Sequence, residues 1–492
     1  MSLTALPTVV IGAGPVGLAA ALHLQSRHLS PVVLEAGTRV GASIREWGHV
    51  RLFSPWAYNI DPLAAELLEE QGWRSPDPAS YPTGADLVSQ YLEPLAATPS
   101  LADAIRLGAR VTAVSKRQRD RMKDAGRDES PFVVRYTDAT GEHEILARAV
   151  IDASGTWQAP NPVGASGIPA MGERAVAGHV RYGIPDVLNT ERERYAGKRV
   201  LVVGSGHSAL NALEDLATLR RSAPGTTITW AVRRPSLRRV LGGGENDQLK
   251  ERGRLGLRIA DRIAAEEIEL LAAAHIDRLE PTGRGIIAWS DGSPLPAVDE
   301  IIAATGFRPD LALLDEVRLD LDPATQSPRR LAPLIDPNQH SCGTVRPHGA
   351  LELAQPDAGL YIVGMKSYGR APTFLLLTGY EQVRSVAAAI AGDWEAARRV
   401  ALQLPETGVC STQFDAEERA AASCCGAAAP DTSSPSTQDA STCCGGPAPD
   451  GVNACCSRDA TAKAEGKAGC GCNSVPAAPV LPPATTSCCS RT

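Results

Sequence analysis

Hydrophobic and polar positions follow three rhythms up to about residue 400, and each rhythm predicts a different element. Short segments with apolar centres at residues 7–12, 31–35, 198–203, 226–232, 300–304 and 360–364 suit strands of a parallel sheet covered on both faces. A helical period marks 15–25, 62–71, 83–97, 208–220, 377–390 and material within 247–274. Strand-like alternation marks 105–115, 132–137, 144–151 and 285–289, with a charged loop at 116–128. Strands alternating with helices predict an α/β fold. Two glycine turns, each between a strand and a helix, predict two Rossmann-like, parallel-sheet domains.

The first turn reads Gly12-Ala-Gly14-Pro-Val-Gly17. Its glycines permit a tight bend, close backbone approach to a pyrophosphate, and close packing of helix on strand. Glu35 ends the following strand, where a carboxylate bonds ribose hydroxyls. A lone glycine turn occurs in many folds; strand, helix and acid together predict a dinucleotide site, and its place near residue 1 favours FAD. The second turn, Gly204-Ser-Gly206-His-Ser-Ala209, carries Ala209 in place of the third glycine. The strand after it ends in Arg233-Arg234 rather than an acid. Guanidinium groups there suit a 2′-phosphate and favour NADPH; the plainer alternative is a solvated basic run with Arg238 and Arg239. Two further segments, Asp152-Ala-Ser-Gly155-Thr-Trp157 and Ala304-Thr305-Gly306-Phe-Arg308-Pro-Asp310, fall where the chain would cross between domains, and Gly364 ends the last strand. The expected organisation is an FAD-binding domain over 1–165 and 295–403, an inserted NADPH-binding domain over 166–294, and a tail over 404–492. A nicotinamide and a flavin in one chain imply hydride transfer between them, with the electrons passed on to oxygen, a disulfide or a metal.

Composition changes the picture in two ways. A net charge of −7 with 21% charged residues argues against a nucleic-acid or anionic-membrane partner. No apolar run is long enough to cross a bilayer, and the N-terminal residues run straight into a strand and glycine turn rather than a leader. The expectation is a cytoplasmic protein acting on a small-molecule or metalloid substrate, with no feature specifying an oligomeric state. The second change comes from the cysteines. Of twelve, Cys342 and Cys410 stand alone, while Cys424-Cys425, Cys443-Cys444, Cys455-Cys456, Cys470-x-Cys472 and Cys488-Cys489 form pairs. The segment 415–492 holds no aromatic residue and no histidine, so its composition predicts a disordered tail. In a reducing compartment such thiols are metal-binding or redox-active rather than structural. Thiolates select soft ions such as Cu(I), Zn(II), Hg(II) and As(III). The absence of CxxC spacing and of histidine argues against a closed zinc site. A metallothionein-like sequestering tail on a flavoprotein of separate function is one alternative; a dispensable tail is the bland one, which the repetition of pairs disfavours.

Residues 1 to about 395 resemble the flavin-containing monooxygenase superfamily and its flavoprotein relatives, among them a group linked to heavy-metal and arsenic resistance. The residues that carry the resemblance are Gly12 to Gly17, Glu35, Gly204 to Ala209, Arg233 and Ala304 to Asp310. It implies that NADPH reduces FAD, that oxygen adds at the flavin C4a, and that a soft nucleophile is then oxygenated. By analogy Asn59 would bond the reacting flavin, and Arg51 or Trp56 would line the pocket; Trp56 as ordinary core is the alternative. Two features depart from the family pattern. The signature histidine would be His179 without its usual upstream Phe, and Gly364 is followed by Met365 where relatives carry an Asp. Mercuric and thioredoxin-like reductases share the layout and set a redox cysteine pair beside the flavin. No such pair precedes the tail here, although Cys488-Cys489 resembles the vicinal pair that ends mercuric reductases.

Overall fold

A computed structural model describes residues 3–237, 240–241, 249–337, 347–372 and 374–402. All twelve cysteines, with Arg238 and Arg239, lie outside the described residues, so the expected tail and its metal ligands do too. The described residues belong to one unit, Met1–Phe414.

Seven short strands make the centres of two parallel sheets: β1 (Thr8–Ile11), β2 (Pro31–Leu34), β3 (Ala149–Asp152), β4 (Arg199–Val203), β5 (Thr227–Ala231), β6 (Glu300–Ala303) and β7 (Leu360–Ile362). The first sheet runs β7-β3-β1-β2 and ends on Ile105–Arg106; the second runs Glu269–Leu271, then β5-β4-β6, and ends on Val180–Tyr182. Registers place Ile11 beside both Leu34 and Asp152, and Asp152 beside Ile362. The apolar runs become strands because both faces are covered. Val10, Val33, Ile151 and Val363 face helices. Their neighbours Val9, Ile11, Leu34 and Val150 face the antiparallel sheet Arg110–Lys116, Phe132–Asp138, Gly141–Ala147.

The second sheet repeats this layering. Val200, Val202 and Trp230 pack against helices, while Leu201, Val203 and Ile301 pack against the antiparallel strands Ile276–Thr282 and Gly285–Ser290. Helix α1 (Pro15–Gln25) is buried from Pro15 to Leu24; it is apolar all round because helix α3 (Leu376–Ile390) and the sheet enclose it. Helix α2 (His207–Ser222) buries one stripe, including Ala209, Leu213 and Leu216.

Several elements differ from the sequence expectation. Strand β6 belongs to the second sheet, so a boundary at 294/295 cuts through that sheet. The helical material expected within 247–274 is the helix Lys250–Ala264; beyond it Glu266 takes φ 57° and Glu269–Leu271 forms a strand, not foreseen, that pairs with β5. An open edge on a parallel sheet satisfies three residues' backbone groups better than a further helical turn would. The single helix expected at 83–97 contains a π-turn at Val88–Leu92. Pro94 has no N–H to offer the Gln90 carbonyl, which instead accepts Trp73 Nε1 at 2.8 Å. The strand expected at 105–115 splits at Gly108, φ 69°, into segments of two different sheets.

Candidate functional site

The first glycine turn leaves the carboxyl end of β1. Gly12 takes φ +98°, and a Cβ there would lie 2.9 Å from the Ala153 carbonyl oxygen. At Gly17 a Cβ would meet the Gly12 oxygen at 2.0 Å, so the helix sits directly against the turn. Gly14 differs: it is the N-cap of α1, with nothing within 4 Å of its would-be Cβ. Unpaired N–H groups and the positive end of the helix therefore face open space, which is a cradle for phosphate. Glu35 is buried and braces the turn, accepting Ala13 N–H on Oε2 and Gly37 N–H on Oε1, both at 2.7 Å. Its remaining lone pairs stay available for ribose hydroxyls.

Beside this turn β3 and β2 flank β1 on opposite sides. Strand order reverses there, and ligands of such sheets sit in the crevice at that point. Asp152 ends β3 in this crevice. Its Oδ2 is 2.6 Å from Lys366 Nζ, with Ser154 Oγ donating to Oδ1 at 2.6 Å. Gly364, with φ +66°, donates its N–H to Gln382 Oε1 of α3 at 2.7 Å. Gln382 in turn donates to Ser367 Oγ at 2.9 Å and bonds His348 Nε2 at 2.8 Å.

The second turn repeats the geometry. Gly204 has φ +127°, and a Cβ would be 2.2 Å from the Ala304 oxygen. Gly206 caps α2 over open space, and Ala209 is fully buried where a third glycine would stand. Trp230, itself buried, donates Nε1 to the Gly204 carbonyl at 2.7 Å. Arg233 and Arg234 follow the end of β5, beside the turn; Arg233 is exposed and reaches the Ala165 carbonyl at 3.0 Å. Phe53 meets His207, the first residue of α2, at 4.9 Å between rings.

The crossings between the sheets are stitched together by Asn161. Its N–H donates to the Gly306 carbonyl at 2.8 Å and its Nδ2 to the Thr305 carbonyl at 3.1 Å, while Thr305 Oγ1 donates back to the Asn161 carbonyl at 2.6 Å. Arg308 Nε donates to Asn161 Oδ1 at 2.9 Å. Burial, with Arg370 nearby, holds that guanidinium below its ordinary value. Trp157 lies between Phe307 at 4.7 Å and Trp47 at 6.4 Å, and its Nε1 donates to Glu46 at 2.8 Å.

The residues expected to do chemistry are placed otherwise. Asn59 is buried, and both its amide protons are spent, on the Ser54 and Pro55 carbonyls at 2.8 and 2.9 Å, while Oδ1 accepts Ser54 Oγ at 2.9 Å. No donor is left for a flavin, so Asn59 closes its own loop. Arg51 is exposed and tied to the Tyr81 carbonyl at 2.8 Å. Trp56 is core. His179 pairs with Glu300 at 3.0 Å at the amino ends of the second sheet's strands, the edge opposite the glycine turn. Trp230, Gln382, Asn161 and Lys366 carry no local motif, and sequence reasoning missed them.

The profile of the pyridine nucleotide-disulphide oxidoreductase family matches residues 9–341, more than half of the 492. The chain belongs to this family. Among curated proteins it is 27% identical over 318 residues to ferredoxin–NADP reductase 1 of Cupriavidus necator, covering 62% of this chain and 72% of that one. It is 29% identical over 211 residues to the indole-3-pyruvate monooxygenase YUCCA1 of Oryza sativa subsp. japonica, covering 42% and 44%. In fold it is similar to the bacillithiol disulfide reductase Bdr of Bacillus cereus, with TM-score 0.58, 19% identity, and coverage of 79% of this chain and 99% of that one. The cadaverine monooxygenase DfoA of Erwinia amylovora also gives 0.58, at 14% identity over 83% and 99%. As a pyridine nucleotide-disulphide oxidoreductase with two glycine cradles, the chain is an oxidoreductase dependent on FAD and NADPH. It departs from the family's name in one respect: residues 9–341 contain no cysteine. Among the described residues no group of three His, Cys, Asp or Glu is arranged to hold a metal ion, and no helix is long and apolar enough to cross a membrane.

Proposed function

We propose that the chain is an NADPH-consuming, FAD-dependent monooxygenase that oxygenates a soft nucleophilic substrate. The cysteine pairs of 404–492 gather a thiophilic metal or metalloid for it, As(III) first among them, in metal or arsenic detoxification. The supporting observation is the pairing of two dinucleotide cradles with a family-matched region that has no cysteine. Without a dithiol in that region, flavin electrons have no internal disulfide there to reduce, and oxygen is the simplest acceptor.

In this reading the NADPH-binding domain takes 166–303, so that it keeps β6, and the FAD-binding domain takes 1–165 and 304–403. The Gly14 end of α1 and Glu35 hold the FAD pyrophosphate and ribose, with Gly12 and Gly17 shaping the turn. The Gly206 end of α2 holds the NADPH pyrophosphate, and Arg233 and Arg234 take its 2′-phosphate. Thr305, Gly306 and Gly364 close the backbone around the two cofactors. When bound, FAD supplies the two-electron chemistry that links NADPH to oxygen.

The test is NADPH oxidation and oxygen uptake by the purified holoprotein, with and without arsenite. Oxygen uptake that rises with arsenite, one NADPH per oxygen, is the expected result. A second reading has support in the ferredoxin–NADP reductase of Cupriavidus necator, covered over 72% of its length, and in the terminal Cys488-Cys489 pair. There, flavin electrons pass to a metal or disulfide bound by the tail. Turnover with a thiol or metal acceptor that persists without oxygen would replace the first reading by this one.

A further inference from the structure

We infer that Lys366 and Asp152 are a buried charge pair that sets the reduction potential of FAD at the first glycine turn; this rests on the reading that FAD occupies that turn. The two side chains are 1% and 0% exposed, with Nζ to Oδ2 at 2.6 Å. Ser154 closes the ring, its Oγ 3.0 Å from Nζ and 2.6 Å from Asp152 Oδ1. The fold has little use for such a pair. Burying two charges costs about as much desolvation as their attraction returns, and apolar residues of similar volume commonly serve stability as well or better. The strand neighbours of Asp152 are indeed apolar: Ile11 on one side, Ile362 on the other.

The position of the pair is informative. Asp152 ends β3 at the point where strand order reverses, the crevice in which such sheets bind nucleotides. The would-be Cβ of Gly12 lies 3.1 Å from Ser154 Cα, so the ring adjoins the turn itself. Lys366 stands two residues past Gly364, in a segment where Met365 supplies no charge. Charges buried this deeply are poorly screened by solvent and salt.

Hydride transfer breaks a nicotinamide C–H bond, carries two electrons and one proton to FAD, leaves NADP⁺, and adds one negative charge to the flavin. The Lys366 ammonium favours that added charge and the Asp152 carboxylate opposes it. Lys366 and Asp152 are therefore positioning residues whose balance fixes how readily FAD is reduced.

The experiment equilibrates full-length holoprotein with a reference dye and reads the flavin midpoint from its absorbance. Lys366→Met leaves the carboxylate uncompensated and should lower the reduction equilibrium about tenfold, a shift of about 30 mV for a two-electron couple. Asp152→Asn leaves the ammonium and should raise it by a similar factor. The double variant should return to the wild-type value. Shifts of the same sign, or none in variants that bind FAD, would overturn the proposal. If a single variant does not fold, Ser154→Asp is read instead, since Ser154 is exposed; its added carboxylate should lower the midpoint, and no lowering overturns the pair's role. A wild-type chain that binds no flavin overturns the underlying reading instead.

Discussion

Asn59 illustrates how a residue's type and place in sequence differ from its role. An Asn after an aromatic-rich segment invites a flavin contact. Its amide, however, completes three hydrogen bonds within its own loop, and its carbonyl accepts Tyr380 Oη at 2.7 Å. Asn59→Ala strands the Ser54 carbonyl and takes the acceptor from Ser54 Oγ in a buried setting, while the Pro55 carbonyl keeps the Tyr58 N–H, and the loss should cost about 2–3 kcal/mol. Urea unfolding should show that loss, while flavin reduction by NADPH in the folded variant stays at the wild-type rate. A variant as stable as wild type but no longer reducible would return Asn59 to the chemistry. The glycines stand in contrast. At Gly17 and Gly204 a Cβ would meet a carbonyl oxygen at 2.0 and 2.2 Å, so their identity is fixed by local sterics and can be read directly from the motif.

At the scale of elements, each helix that follows a glycine turn presents its amino end to open space and its apolar surface to a sheet. Helix α2 carries an additional electrostatic load. Burial, with Glu214 and Asp186 as like-charged neighbours, pushes the Asp215 carboxyl up from 3.8 to about 7. A raised carboxyl pKa means that the folded state holds a proton the unfolded chain has already released. Its contribution to stability is therefore full below about pH 4 and is lost as pH climbs through about 7. Asp215→Asn has no proton to lose. Its melting temperature relative to wild type should rise between pH 4 and 7 and level off above, and a constant difference across that range would refute the assignment. The elements that departed from expectation did so for two kinds of reason. Glu269–Leu271 is a strand because it completes a sheet edge, a tertiary cause, whereas Pro94 forced a π-turn by a local one, and the freed carbonyl found Trp73.

For the whole molecule, the two layered sheets share one design, helices on one face and a small antiparallel sheet on the other. Asn161 and Trp157 fasten the crossings between them. Every hydrophobic cluster among the described residues lies within the unit Met1–Phe414. A chain ended at Phe414 should therefore keep its flavin spectrum and basal NADPH oxidation. It should lose equilibrium binding of arsenite, read by thiol protection, together with any stimulation of oxygen uptake. Retained arsenite stimulation in the shortened chain would remove the cysteine pairs from the proposed function.

The parallel strands as separate segments, both glycine turns, the acid at Glu35 and the arginines after β5 are legible in the chain alone. Each is a local pattern that steric or periodic rules report directly, whereas the pairing of strands as distant as β1 and β3 or β4 and β6 is made only in the folded chain. Tertiary structure alone decided which polar groups remain free for chemistry. Asn59 was spent on its loop and His179 placed on the far edge of its sheet. Gly364 was tied to Gln382, and Asp152 was joined to Lys366 across 214 positions. Partners that far apart leave no trace in local pattern, because the packed chain, and not the composition around either residue, brings their atoms within bonding distance.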